Sequence, residues 1–343
     1  MDFRGKKIDL VGKMNLWFGI SIGVMLIGLI AWVVMKPNYG IDFKGGSQLT
    51  YRIPEKIRPQ AGQEATLLAK VNEELDKAKI EGSRSQIAGG TDLVIYTETA
   101  NTQSAATAHE AEINGAIGVA FDVKPDSKGV KTIAPEAREL VGPIIGDELR
   151  RNAIYGVIFG VLLIAGWIYI RYNFAGDGLR YAVAGIVALV HDVFVLLGLS
   201  ALLRIEIDGA YIAALLTVVG YSINDSVVIF DRLRENLRVR RKDSFETIVN
   251  DSLLETMSRS INTGATVLIM LFALLLFGGE SIHNFTLAML VGIASGLYSS
   301  IFNASMVLVL WDKLDKKKAD QNKSTRPQVT VREASNSKAI KSR

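Results

Sequence analysis

Cysteine is absent from the 343-residue chain, which excludes disulfides, thiolate metal sites and cysteine nucleophiles. Histidine is scarce. His109, His191 and His283 lie far apart and show no zinc-ligand spacing. There is no HExxH helix. The stretch GYSIN (220–224) lacks the closing glycine of a nucleophile elbow, and His191-Asp192 has no nucleophile beside it. These absences argue against an enzyme, and no cofactor is expected. Basic residues are missing from particular places too. Residues 278–284 contain no Lys or Arg, and the loop after Leu203 has Arg204 alone.

What is present is apolar length. Hydrophobic residues make up 49% of the chain, and they gather into six runs near the ~20 residues that a ~30 Å hydrocarbon core requires. The runs are Leu16–Met35, Ala153–Ile170, Tyr181–Leu203, Tyr211–Phe230, a segment starting between Leu253 and Ile261 and ending at Phe277, and Phe285–Trp311. Lipid cannot satisfy open backbone amides, so each run should be helical. The first is too long for a signal-peptide core and has no small-residue cleavage site, so it reads as a retained helix.

Arg4, Lys6, Lys7 and Lys13 precede the first run. Arg171 and Arg180 lie between the second and third, six basic residues from Arg232 to Lys242 between the fourth and fifth, and Lys313 to Lys318 after the sixth. The positive-inside rule then places both termini in the cytoplasm and residues 36–151 outside. Trp17, Trp32, Trp167 and Trp311 fall near run ends, as an interfacial belt would place them. Gly19/Gly23, Gly156/Gly160 and Gly292/Gly296 have the spacing that allows close helix contact.

The outer segment changes period. Strands are expected at Ser47–Ile53, Ser85–Ala88, Leu93–Thr97 and Val130–Ile133, with a hairpin at Gly89-Gly90. Helices are expected at Gln63–Ala78 and Ala105–Phe121. The order βαββαβ is ferredoxin-like. The expected fold is therefore an α-helical polytopic membrane protein with six transmembrane helices and one α+β ferredoxin-like extracytoplasmic domain between helices 1 and 2. That domain reads as a binding or mechanical unit. Ala134–Asn152, with Pro135, Gly142, Pro143 and Gly146, reads equally as a hinge or a plain linker.

Polar residues interrupt three runs. His191-Asp192 lies in the third, Ser222 with Asn224-Asp225 in the fourth, and Arg259 with Asn262 and Thr263 at the start of the fifth. A charge at the bilayer centre costs about 2.5–3.5 kcal/mol on insertion scales, so these groups should face the bundle interior and mark an ion or proton path. Desolvation favours a protonated carboxylate and a neighbouring guanidinium favours an ionised one. An Asp225 that meets Arg259 in one conformation and not in another would change its hold on a proton. The competing structural roles are interhelical hydrogen bonding for Asp225, orientation of His191 for Asp192, and interfacial anchoring for Arg259. Asp231-Arg232 reads as a helix end.

Ser244–Met257 has Phe245, Ile248, Val249, Leu253 and Met257 on one face, and Asp243 with Glu246 reads as a capping box. An amphipathic cytoplasmic helix is expected there, within a basic loop at 231–257. From Asp312 onward the chain is polar and basic, and 312–343 reads as a disordered cytoplasmic tail. The remaining divisions are a cytoplasmic N-terminus at 1–15, helix 1 at 16–35, the external domain and linker at 36–151, and helices 2–6 at 153–311.

GIDFKGG (40–46), VGPIIGDEL (141–149), ALVHDVFVLLG (188–198), LLTVVGYSINDSVVIFDRLRENLR (215–238), SRSINTGATVL (258–268) and the stretch 275–305 together resemble the SecF family of bacterial protein-export subunits. The resemblance runs from about residue 10 to Trp311. It implies a SecD partner supplying a second set of six helices, in a unit similar to the resistance-nodulation-division transporters. The unit's task is to use the proton-motive force to help preproteins leave SecYEG. It further implies SecA as an indirect partner, YajC as an additional subunit, a preprotein contact on the external domain, and no nucleic acid. The family's relay carboxylate falls on Asp225 and its relay arginine on Arg259. Arg259-Ser260 stands where the family usually has Arg-Thr. His191, Asp192, Asn224, Ser222 and Asn262 are the supporting candidates. The alternatives are half of a small-molecule or lipid exporter of the same superfamily, and a passive scaffold without an ion path. The absence of a second six-helix copy in the chain favours a partner that supplies it.

Overall fold

The computed structural model of the protein describes residues 3, 8–59, 63–80, 83–97, 103–125, 129–173, 176–278 and 282–325. Helix α1 (Met14–Met35) leads to a short strand β1 (Asn38–Tyr39) and a single helical turn α2 (Ile41–Lys44). The α+β domain between the first two spans follows as β2 (Gly46–Arg52), α3 (Glu64–Lys77), β3 (Arg84–Ala88), β4 (Asp92–Thr97), α4 (Gln103–Ala120) and β5 (Ala137–Val141). The chain then runs through α5 (Pro143–Asn173), α6 (Gly178–Leu202), strand β6 (Glu206–Ile207), α7 (Gly209–Val239), α8 (Phe245–Phe277), α9 (His283–Tyr298) and α10 (Ser305–Thr325). Among the described residues, six spans are long and apolar enough to cross a membrane. They outrun the apolar segments of the sequence because the helices continue into polar residues beyond them.

The sheet of this domain has the order β3-β4-β2-β5, all neighbours antiparallel, which is the ferredoxin-like arrangement. With no disulfide, its apolar core holds it. Tyr51, Ile53, Val71, Leu75, Leu93, Ile95 and Ile117 are fully enclosed, and burial of each large side chain contributes about 1.5–3 kcal/mol.

The last strand is not Val130–Ile133 but Ala137–Val141. Ile133 instead lies against α4, its N–H donating to the Asn114 carbonyl at 3.2 Å, and packs onto the domain core. Most of β5 is exposed, so its sequence carried no apolar signal. The expected linker is accordingly a strand followed by the first turns of α5, where Pro143 occupies an N-terminal position that costs no hydrogen bond.

Three further differences concern the other side of the bundle. The amphipathic segment and the fifth span are one continuous helix, α8. Its cap is Ser244, whose hydroxyl accepts the Thr247 N–H at 3.2 Å, one residue along from the expected capping pair. Asp231 is not a helix end: α7 continues to Val239, and Asp231 meets Arg171 at 2.8 Å and the Tyr172 hydroxyl at 2.9 Å. Residues 312–325, expected to be disordered, continue α10. The rest of that tail, 326–343, lies outside the described residues.

Of the three glycine pairs, only Gly292/Gly296 is used at both positions for close contact, lying on Val218 and Ser222 of α7. Gly19, Gly23 and Gly156 have nothing against them. An unforeseen close approach between helices is Gly28 of α1 on Gly198 of α6, where a Cβ added to Gly28 would lie 3.0 Å from the Gly198 Cα. Gly28→Leu is therefore expected to part these helices and lower the thermal midpoint of the purified full chain. Gly23→Leu, with open space around it, should leave that midpoint unchanged. Equal midpoints for the two would refute the contact's importance.

Candidate functional site in the helix bundle

Two carboxylates sit inside the bundle on different contacts of α7. Asp192 on α6 is completely buried. Its Oδ2 accepts hydrogen bonds from Ser222 Oγ of α7 at 2.6 Å and Ser299 Oγ at 2.7 Å, and its Oδ1 from Ser295 Oγ of α9 at 2.8 Å. His191 Nδ1 lies 3.1 Å from the same Oδ1. Three hydroxyl donors thus take the place of water at this carboxyl group. The His191 Nε2 is buried and has no partner among the described residues.

A local change in helix pitch supplies part of this cage. Ser299–Ala304 forms a π-helical turn between α9 and α10, a departure often found at functional sites. It carries Ser299, Ser300 and Asn303, all buried. Ser300 Oγ donates to the Ser222 carbonyl at 2.9 Å, Ser226 Oγ to Ser300 Oγ at 3.0 Å, and Ser21 Oγ of α1 to Asn303 at 2.8 Å. The close approach of Gly296 to Ser222 brings these serines within reach of α6.

Asp225 faces α8. Its Oδ1 accepts from Ser260 Oγ at 2.6 Å, while its Oδ2 is buried without a hydrogen-bond partner among the described residues. Arg259, the residue before Ser260, is exposed. The described residues hold no ion pair involving it. Asn224 and Asn262 are exposed as well. Beyond the site, polar contacts hold α7 to α8. Glu255 takes Arg232 Nε at 2.5 Å and Asn236 Nδ2 at 2.9 Å, and Asp251 takes Arg240 at 2.6 Å.

The structure thus joins His191, Asp192 and Ser222, and joins Asp225 to Ser260. It leaves Arg259, Asn224 and Asn262 on the surface of the bundle. Ser295, Ser299 and Ser300 were missed by sequence reasoning. Their signal was SGLYSSIFNAS (295–305), a polar break in an apolar run like the one at GYSINDS. Among the described residues, no group of three or more His, Cys, Asp or Glu could hold a metal ion.

The profile described as "Protein export membrane protein SecD/SecF, C-terminal" matches residues 123–314, and the "SecD/SecF GG Motif" matches residues 30–53. The protein translocase subunit SecF of Alicyclobacillus acidocaldarius is 36% identical over 324 residues, which are 94% of this chain and 98% of that one. The chain belongs to the SecF family. The SecDF of Bacillus subtilis is 32% identical over 91% of this chain and 39% of its own length. The crystal structure of SecDF, a translocon-associated membrane protein from Thermus thermophilus, superposes with a TM-score of 0.73 at 30% identity. It covers 90% of this chain and 39% of that one. Relatives in which SecD and SecF are one polypeptide imply that a separate SecF associates with a SecD. On the SecF fold, the GG motif comprises the end of α1, β1, α2 and β2, where the ferredoxin-like domain joins the bundle.

Proposed function

We propose that this SecF, paired with SecD, uses the proton-motive force to promote preprotein translocation through SecYEG, with SecA acting upstream. Asp225 is the proton-carrying group and Arg259 its charge partner in one state of the cycle. The observation that carries this reading is the half-satisfied carboxylate. Asp225 has one oxygen bound by Ser260 and the other buried without a partner, beside an exposed arginine. A purely structural carboxylate would be expected to have its donors in place, as Asp192 has. In this reading both termini are cytoplasmic, the ferredoxin-like domain lies on the outer side and touches the emerging chain, and the exposed polar edge of α7 and α8 faces SecD rather than lipid.

The reading is tested by preprotein export into inverted vesicles with and without the SecD–SecF pair. Export stimulated by the pair should fall to the pair-free level when a protonophore collapses the gradient. Stimulation that survives the protonophore would overturn the proton-driven mechanism.

A further inference from the structure

The external domain is fastened to the bundle at a small junction built from the GG motif and the loop between α6 and α7. Asn38 pairs with Glu206 and Tyr39 with Ile207, in parallel, and the Gly40 N–H donates to the Ile207 carbonyl at 2.9 Å. From the domain's sheet, Arg84 Nη2 donates to Glu206 Oε2 at 2.8 Å and its Nη1 to Asn38 Oδ1 at 3.1 Å. Asp42 Oδ2 accepts the N–H of Gly209, the first residue of α7, at 2.7 Å. Asp208 caps the same helix by accepting the Tyr211 N–H at 2.7 Å. The domain therefore grips the end of the helix that carries Asp225.

Two features mark this junction as releasable. Each strand is entered through or close to a non-glycine residue with positive φ, Lys36 at 55° and Arg204 at 57°. Such backbone persists only while its surroundings hold it, and here Arg204 Nη1 donates to the Met35 and Lys36 carbonyls at 2.8 and 3.3 Å. The charge balance is also uneven. The charged groups facing Glu206 are Arg84 from β3, Asp42 from α2 and Asp208 from its own segment, so three carboxylates meet one guanidinium.

We propose that this junction is a latch that closes when Glu206 and Asp208 take up protons and opens when they ionise, docking the ferredoxin-like domain on α7 and freeing it in turn. Burial pushes the carboxyls of Glu206 and Asp208 above the usual carboxylate range, and Arg84 offsets this only in part at Glu206. The docked form therefore binds protons more readily than the freed form, in which both groups are solvated. By linkage, docking strengthens as pH falls through that raised range and weakens as pH rises through it. The latch rests on the reading of a proton-driven subunit with this face on the proton-rich side.

The absence of cysteine makes the test clean. The full chain, with SecD in lipid nanodiscs, carries spin labels at Lys56→Cys and Leu203→Cys, both exposed positions. The expected result is one narrow distance distribution near about pH 5 and a broad one near about pH 8, on either side of a raised carboxylate range. Adding Glu206→Gln should keep the distribution narrow at both. A distribution that ignores pH, or a Glu206→Gln chain with the parent's pH response, overturns the latch. A second measurement does not depend on Glu206. Tyr39→Cys/Ile207→Cys, at paired positions, should stop stimulated export on oxidation and restore it on reduction. Full export with the bond closed shows that the junction need not open, and also overturns the proposal. If the labels respond to pH while export ignores the protonophore, the proton-driven reading fails and the latch stands.

Discussion

Asp225→Asn should leave a chain that reaches the membrane, binds SecD and no longer stimulates export. The amide has the carboxylate's shape. Its oxygen can still accept from Ser260 Oγ, which now lies 2.6 Å from Oδ1. On the proposed reading, what is lost is the ability to exchange a proton and to pair with Arg259 when ionised. The added NH2 brings two N–H donors to the place where Oδ2 has no partner among the described residues, so it exchanges one unpaired buried group for another at about 1–3 kcal/mol. That is small enough for assembly to survive. Stimulated export should fall to the level without the chain, at unchanged membrane amounts of both subunits. Export at the parent level would return Asp225 to a structural role between α7 and α8. Ser260→Ala is the graded companion. It removes a donor and leaves the titratable group, so it should lower export less than Asp225→Asn does.

The other carboxylate should behave in the opposite way. Asp192→Ala removes the acceptor of three buried hydroxyls, Ser222, Ser295 and Ser299. Each donor left unsatisfied costs about 1–3 kcal/mol. The low end applies to Ser299, which also has the Gly296 carbonyl at 3.2 Å. The loss should amount to several kcal/mol, comparable with the whole stability of a typical domain. The chain is then expected to accumulate poorly and to melt well below the parent. Asp192→Asn keeps one acceptor and should fall between the two. Thermal midpoints and membrane levels of the full chain check this. If Asp192→Asn assembles and melts like the parent while export stops, Asp192 belongs to the relay.

The spans and both carboxylates were legible because each leaves a one-dimensional trace. An apolar run near bilayer length has few readings, and a charge within it is costly enough to need a reason. The serine cage left almost none. A serine in a membrane helix can satisfy its hydroxyl on its own preceding turn, as Ser200 does on the Leu196 carbonyl, so its presence predicts no partner. Only the packing of α6, α7 and α9, together with the π-helical turn, decides that Ser222, Ser295 and Ser299 meet on one carboxylate. The exposed positions of Asn224 and Asn262 were hidden for the same reason. Their spacing places them on a helix, but the rotation of α7 and α8 depends on neighbours that the sequence does not mark. Strand β5 was missed because hydrogen bonding to β2 needs no apolar pattern when the side chains remain in solvent.

The unbroken course of α8 has a mechanical consequence. A helix of 33 residues is a rod of about 50 Å, and Phe245 stands about 22 Å along its axis from Ser260. Bending such a helix sharply needs a proline or a comparable defect, and the segment from Phe245 to Phe277 contains no proline. A push on its amphipathic end is therefore delivered to the Asp225–Ser260 contact as leverage rather than absorbed on the way. The ion pairs at Glu255 and Asp251 set the fulcrum, and whatever engages that end acts on the carboxylate without touching it.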